Sequence, residues 1–498
     1  MTREILIETL SGETRLAVLE DGELMELYSE RAGQEKLSGN IYVGRVENVL
    51  PGMNAAFVDI GMEKNAFLYA GDIQLDARDA QELTRQLSAV KIQQMVRPGQ
   101  QVLVQVVKEP GGSKGPRISS HVTLPGRLTV LLPTVRYTGV SRRIEEEGER
   151  SRLRGLAAKL SEAHGMGMIV RTAAQGADEE ALARDYEALI RLWEKIRTRG
   201  EHVIAPALLH RDESLAFRAV RDMITPELSA IRTDDEGIYR QLTENTALLA
   251  PEISDKIVFS RAETPLFDLY RVDAQAEKAL QRHVWLKSGG DLVIDYAEAL
   301  TVIDVNTGKY VGRKSLADTV FQTNCEAAKE IARQLRLRDI GGIIIIDFID
   351  MEAPEQRQQL LSLLKEYLKN DRTRTNLAGL TSLGLVEMTR KKVRQPVHKL
   401  MNHICDACQG SGMVPTYETV ARAILRELRR MAAASSEGAM LVKAAPPIAT
   451  TLWTLEAPPG VRAFACPDEG QTLGEYAITA AQESALPPGT KRLRTPNP

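Results

Sequence analysis

The chain reads as an α/β protein of several domains. Three observations predict this. Short β-rich runs punctuated by Gly and Pro fill residues 37–120, and a strand–long helix–strand unit spans roughly 300–347. The length, 498 residues, is enough for three or four domains. Charged residues make up 26% and hydrophobic ones 43%, an ordinary globular composition. The 64 basic and 67 acidic residues leave a net charge of −3, so a polyanion site has to be a local patch. No apolar run approaches the roughly 20 residues needed to span a bilayer. The start, MTREILIETLSGETRLAVLEDGE, alternates charged and apolar residues and has no signal-peptide core. Four cysteines make no disulfide framework, so a cytoplasmic location is expected.

Residues 1–36 predict short strands around a Gly-Glu turn. From Leu37 to about Ser120, IYVGRVENVL, AAFVDIG, NAFLYA and GQQVLVQVVKE predict a small β-barrel, broken at Pro51-Gly52, Gly61 and Pro98-Gly99. The following segment ends in an amphipathic helix, with Asp178 as N-cap and Leu182, Tyr186, Leu189, Trp193 and Ile196 at helical spacing. A β/α block fills 280–400. DLVIDY and ALTVIDV predict strands, and Ser315 to Arg338 a helix opened by Ser315-x-x-Asp318 and stopped by Gly341-Gly342. A weaker helix, about 418–433, precedes a Pro- and Ala-rich tail.

In GGIIIIDFID four isoleucines run into Asp347. Such a run predicts a buried strand, where an ionised carboxylate is costly unless compensated. Asp304 ends the strand LTVIDVN, with one helix between the two. A single crossover makes the strands parallel and brings both aspartates to the same carboxyl edge. Neighbouring strands lie about 4.8 Å apart, so the carboxylates repel and favour a shared proton or a bridging cation. Oxygen ligands with no nearby His or Cys suit Mg²⁺. Asn306, on the same face, could orient a ligand or a water. The alternative is that Asp347 or Asp350 caps the next helix; Asp350 and Asp318 are read as supporting residues. From Lys365 to Lys399 there are nine basic residues against three acidic, either a solvated face or a groove for a phosphodiester backbone.

Phe57 and Phe67 flank the Gly61 turn of the barrel. Barrels of this kind stack single-stranded bases on aromatic residues beside cations, here Lys108 and Lys114. Both rings could instead be core.

VGRVENVLPGMNAAFVDIG, MIVRTA, VIDVNTG, EIARQLRLRDIGG, IIIIDFIDM and CDACQGSG, in that order, resemble the ribonuclease E/G family of bacterial endoribonucleases, from residue 1 to about 415. No long Arg- and Pro-rich scaffold tail follows, so the resemblance is to the shorter members. It implies an RNase H-like subdomain (1–36 and 217–279) with an inserted S1, OB-type barrel (37–120) and a 5′-sensor (121–216). A DNase I-like catalytic subdomain (280–400), a zinc link (401–415) and a small C-terminal domain (416–498) would follow. It also implies a single-strand-specific, Mg²⁺-dependent endonuclease that is stimulated by a 5′-monophosphate and cuts A/U-rich RNA. Its products would carry 5′-phosphate and 3′-hydroxyl ends, and its tasks would be rRNA 5′ processing and mRNA decay. By motif match Asp304 and Asp347 would hold Mg²⁺, with Asn306 as catalytic helper. Phe57, Phe67, Lys108 and Lys114 would grip RNA. Arg171 and Thr172, with backbone near Gly126 and Val130, would hold the terminal phosphate.

Cys405-x-x-Cys408 followed by Gly410-x-Gly412 has metal-ligand spacing, but structural zinc takes four ligands. Cys325, Cys466 and His403 do not complete the set. Two chains giving two cysteines each would join a dimer through one Zn²⁺, as the resemblance implies, with pairing into tetramers left open. Asp406 stands where the family pattern more often has proline. Free thiols are the alternative. Two other functions are weighed: a non-catalytic RNA-binding scaffold, whose mark would be a missing acidic ligand, and a Mg²⁺ phosphodiesterase or DNase, which would need neither barrel nor sensor.

Overall fold

The computed structural model describes residues 2–31, 36–73, 91–110, 114–308, 316–393, 396–434 and 439–495. Ser315 of the expected capping box and Arg394 of the basic run lie outside these residues. The chain divides into two compact units, Met1–His398 and Lys399–Pro498.

The first unit begins with a five-stranded sheet. Arg3–Leu10, Glu13–Glu20 and Glu23–Arg31 form an antiparallel meander, and Leu228–Thr233 and Ile257–Phe259 join in parallel beside Arg3–Leu10. Everything between Arg31 and Leu228 is therefore inserted between two strands of one sheet. Ile5, Ile7, Leu16 and Val18 pack on helix Leu215–Asp222 from the far side of that insertion.

The insertion opens with a closed barrel. Ile41–Leu50 pairs with Ala55–Asp59, then follow Ala66–Tyr69, Arg117–Ser119 and Gln101–Lys108, which returns to Ile41–Leu50. Val46, Ala56, Val58, Ala66, Leu68, Val104, Val106 and Ile118 fill it, one residue in two along each strand. A four-stranded sheet comes next, in the order Thr138–Val140, Gly167–Val170, Thr129–Leu132 and Leu124–Pro125. Helix Glu179–His202 packs on it through Leu182, Tyr186, Leu189, Trp193 and Ile196. Asp178 caps this helix as expected, accepting from the Ala181 amide at 2.7 Å.

The 280–398 block is one six-stranded sheet in the order His283–Trp285, Asp291–Tyr296, Leu300–Asn306, Gly342–Asp347, Val386–Arg390 and Thr375–Leu380. Among the described residues of this sheet the only parallel pair is the central one, joined by helix Leu316–Leu337. That helix and Pro354–Leu368 cover one face, burying Ile303, Val305, Ile344, Ile346, Ile331 and Leu364. The other face is open, with Val302 and Ile343 exposed on it. The isoleucine run is thus not buried on both sides, as its composition suggests. An otherwise antiparallel sheet needs helices on one face only, so alternate isoleucines meet solvent.

In the second unit, helix Tyr417–Ala434 is followed by a sheet of Ala439–Ala444, Arg462–Pro467, Tyr476–Ala481 and Lys491–Arg492, with helix Pro446–Thr454 between the first two strands. The Pro- and Ala-rich tail is folded. Its alanines, among them Ala444, Ala449, Ala463 and Ala465, are core residues that let helix and sheet approach closely. Among the described residues no helix is long and apolar enough to cross a membrane.

Candidate active site and RNA-binding surfaces

Asp304 and Asp347 are direct partners in the parallel register of the central strands. Both leave the sheet on its open face, since their neighbours Ile303, Val305, Ile346 and Phe348 are buried in the helix-side core. One strand spacing, about 4.8 Å, separates their backbones. The Asn306 amide donates to Asp304 Oδ2 at 3.0 Å, which aligns that carboxylate. Partial burial, then the charges of Asp304 and Asp350, push the Asp347 carboxyl above its ordinary range. Asp347 does not cap the next helix; that helix begins at Pro354 with Ala353 before it.

Among the described residues no group of three or more His, Cys, Asp or Glu is placed to hold a metal. A cation between Asp304 and Asp347 would have two protein carboxylates and would keep the rest of its shell as water, which is how Mg²⁺ binds. The donor set fits. Three open-face residues lay outside the sequence reading. Asp291 pairs in register with Asn306, His283 Nδ1 lies 3.2 Å from Asp291 Oδ2, and Trp285 pairs with Asp291. Their two strands are joined by a short hairpin, and nothing local marks which face would stay open.

On the barrel the two phenylalanines face outward. Phe57 and Phe67 are register partners with ring centroids 6.1 Å apart in an edge-to-face arrangement, and their chain neighbours Ala56, Val58, Ala66 and Leu68 are core. The rings are half-buried, so the core alternative fails. The register continues from Phe67 to Arg117 and from Arg117 to Lys108, giving one row across four strands. Arg117, which pairs with Asp72 at 2.7 Å, had no signal of its own. Lys114 is exposed where its segment docks on the Phe67 strand, the Phe67 amide donating to Pro116 O at 2.8 Å. A Cβ on Gly115 would lie 2.1 Å from the Asn65 carbonyl oxygen, so only glycine allows that approach.

The expected sensor residues also converge. Val130 sits in strand Thr129–Leu132, paired with Ile169 two residues before Arg171. Arg171 donates to the Gly126 carbonyl and, at 2.7 Å, to Asp222 Oδ1. Burial opposes the charge on Asp222, but the guanidiniums of Arg221 and Arg171 outweigh it and hold its carboxyl below the ordinary range. The Thr172 and Ser141 hydroxyls are 2.9 Å apart. The amides just after Gly126 are already used: Asp185 accepts from Arg127, Leu128 and Thr129. Asp222, 51 residues from Arg171, is the partner the sequence does not reveal.

The basic run divides. Arg374, Lys391 and Lys392 are exposed, but Arg390 is buried between Asp371 (2.7 Å) and Asp339 (2.6 Å), and Arg372 lies 3.4 Å from buried Glu26. Arg390 and Arg372 are structural, because charge counted along a chain ignores which side chains the fold turns inward.

In the second unit Cys405 and Cys408 share a tight loop with Gln409, Gly410 and Gly412 in the left-handed region. The Gly412 and Gly410 amides, followed by Cys405, hold the Cys408 thiol below its ordinary range, favouring a thiolate. That fits metal ligation. Two thiols are half of a tetrahedral set.

The Ribonuclease E/G family model matches residues 123–393, more than half of the chain. The chain belongs to the ribonuclease E/G family, and it is an endoribonuclease. It is 45% identical over 456 residues to ribonuclease G of Salmonella typhimurium (strain SL1344), covering 91% of this chain and 92% of that one. Identity to ribonuclease G of Escherichia coli (strain K12) is 44% over 453 residues, again 91% and 92% of the two chains. Ribonuclease E of Nostoc sp. (strain PCC 7120) is 42% identical over 409 residues, which is 80% of this chain and 58% of that enzyme.

Proposed function

We propose that the chain cleaves single-stranded, A/U-rich RNA at Asp304 and Asp347 with Mg²⁺, faster when the RNA carries a 5′-monophosphate, leaving 5′-phosphate and 3′-hydroxyl ends. The observation that carries this is the register pairing of the two aspartates on the open face of the sheet. It gives a carboxylate pair that is accessible to substrate and destabilised without a cation. A bound Mg²⁺ supplies charge neutralisation at the scissile phosphate and an acidified water. Asp304 is held in place by Asn306, and Asp347 completes the pair. The row Phe57–Phe67–Arg117–Lys108, with Lys114, suits a single strand by stacking bases beside cations. Arg171 and Thr172 offer a guanidinium and a hydroxyl to a terminal phosphate, and Asp222 holds the guanidinium between phosphate-binding events.

The Met1–His398 sheets are read as RNase H-like, S1, sensor and DNase I-like subdomains, in line with the family. Cys405 and Cys408 would supply two thiolates of a Zn²⁺ completed by a second copy. Around them Ile404 is 70% and Met413 81% exposed, an apolar surface that a partner would cover. The cellular tasks that fit are rRNA 5′ maturation and mRNA decay in the cytoplasm.

The test is cleavage of one short A/U-rich RNA with either a 5′-monophosphate or a 5′-hydroxyl, in Mg²⁺ or EDTA, by wild type, Asp304→Asn and Arg171→Gln. Internal cutting should need Mg²⁺ and Asp304. Arg171→Gln should remove the monophosphate preference and spare cutting of the 5′-hydroxyl RNA. Full activity of Asp304→Asn would end the metal-site reading, whereas cutting blind to the 5′ end would end only the sensor.

A further inference from the structure

The chain has three tryptophans, and two are packed. Trp193 is 8% exposed in the helix-side core of the sensor layer. Trp453 is half-buried, its Nε1 donating to Ala465 O at 3.1 Å and Lys491 Nζ lying 4.4 Å from its ring centroid. Trp285 is 66% exposed. A single exposed apolar side chain needs no explanation, so exposure by itself carries nothing. Its position does.

Trp285 lies between Val284 and Leu286, both buried in the catalytic-sheet core. Strand alternation therefore sends it to the open face that bears Asp304, Asn306 and Asp347. It pairs in register with Asp291, and Asp291 with Asn306, so one row runs from the indole to the residue that orients Asp304. Two strand spacings, about 10 Å, separate the backbones of Trp285 and Asn306. An extended RNA strand with a phosphate at the acidic pair would place a nearby nucleotide there. Charge alone gives phosphates little reason to follow that path: Asp291 and Asp295 project onto the same face, and the Arg282 guanidinium is already held by Asp295 at 2.6 Å. A base can follow it by stacking, and Lys287, exposed in the turn two residues after Trp285, adds a cation to the same end of the strand. His283 Nδ1 lies 3.2 Å from Asp291 Oδ2 and occupies one side of that carboxylate.

We propose that Trp285, with Lys287 in the turn that follows, stacks a base of the RNA close to the scissile phosphate and so sets the path of the strand across the cleavage centre. This rests on reading Asp304 and Asp347 as that centre. Trp285 is a positioning and specificity residue in this proposal, distinct from the barrel row that grips RNA elsewhere.

The experiment has two arms. Tryptophan emission of Asp304→Asn is followed while single-stranded RNA is added, beside the double variant Asp304→Asn, Trp285→Phe. RNA should change the emission of the first and leave the second nearly unchanged. In the second arm kcat/KM is measured for Trp285→Ala and Trp285→Phe on RNA with either 5′ end. Alanine should lower it about ten- to hundredfold for both ends alike, with phenylalanine restoring most of the loss. Emission indifferent to RNA, or wild-type cleavage by Trp285→Ala, would overturn the proposal. A smaller species of Trp285→Ala in sedimentation would also overturn it, by assigning the indole to a contact between copies. If emission responds through Trp285 while Asp304→Asn still cuts, the stacking stands and the cleavage-centre reading fails instead.

Discussion

Asp347 shows how a single residue can be strained by what it is placed beside. Its carboxyl is raised by partial burial, by Asp304 and by Asp350, so the folded state binds that proton more tightly than the unfolded chain does. Ionising it costs stability, and the cost appears as pH rises through the raised value. Asp347→Asn should therefore melt at a higher temperature than wild type at pH 7 in EDTA. The difference should vanish under conditions acid enough to protonate aspartate in both states. Added Mg²⁺ should raise the wild-type melting temperature and leave that of Asp347→Asn nearly unchanged. Calorimetry across pH, with and without the metal, checks both statements; an Asp347→Asn protein less stable at pH 7 in EDTA would contradict them.

At the scale of elements, the barrel separates the proposed RNA-binding row from its core along one strand. Phe67 faces outward in the row with Phe57, Arg117 and Lys108, while Leu68 next to it is core. Phe67→Ala should weaken single-stranded RNA binding by about 1–3 kcal/mol with little change in the urea midpoint. Leu68→Ala should cost about 2–5 kcal/mol of stability. The sheet bearing Asp304 and Asp347 depends on a different kind of contact. Arg390 ends strand Val386–Arg390 and is buried against Asp371 and Asp339, its Nη1 also donating to Ile340 O at 3.1 Å. It pins the chain just before the strand that carries Asp347. Asp371→Ala leaves part of that buried charge unpaired and should cost about 3–5 kcal/mol in urea unfolding.

Across the whole molecule, arginines tie the layers of the first unit together. Arg336, on the helix between the two central strands, reaches Glu20 at 2.7 Å and Glu26 at 2.8 Å in the N-terminal sheet. Glu26 is buried, yet Arg372, Arg336 and the Tyr28 hydroxyl outweigh that burial and keep it ionised. Arg372 also donates to the backbone oxygen of Asp222, whose carboxylate holds Arg171. The layer around Arg171, the N-terminal sheet and the sheet bearing Asp304 and Asp347 thus meet at a few buried charges. The second unit carries the assembly prediction. Cys405→Ser with Cys408→Ser should abolish zinc in the purified protein and halve its mass in sedimentation. Retention of a zinc-free dimer would show that the apolar surface around Ile404 and Met413 suffices without the metal.

Much of the candidate site was legible in residue order. Two strands ending in aspartate around one crossover helix required a parallel pair with both carboxylates at one edge, because a single crossover permits little else. Local spacing likewise determined the capped helix at Asp178, the barrel strands and the cysteine loop. Only the tertiary structure decided which surfaces stay uncovered and which charges turn inward. It opened one face of the isoleucine strand and turned Phe57 and Phe67 outward. It also placed Trp285 and Asp291 beside Asn306, buried Arg390, and gave Arg171 a carboxylate partner from a distant helix. The physical reason is range: hydrogen-bond geometry and strand or helix periodicity act over a few residues, whereas exposure and ion pairing depend on what packs against each element from far along the chain.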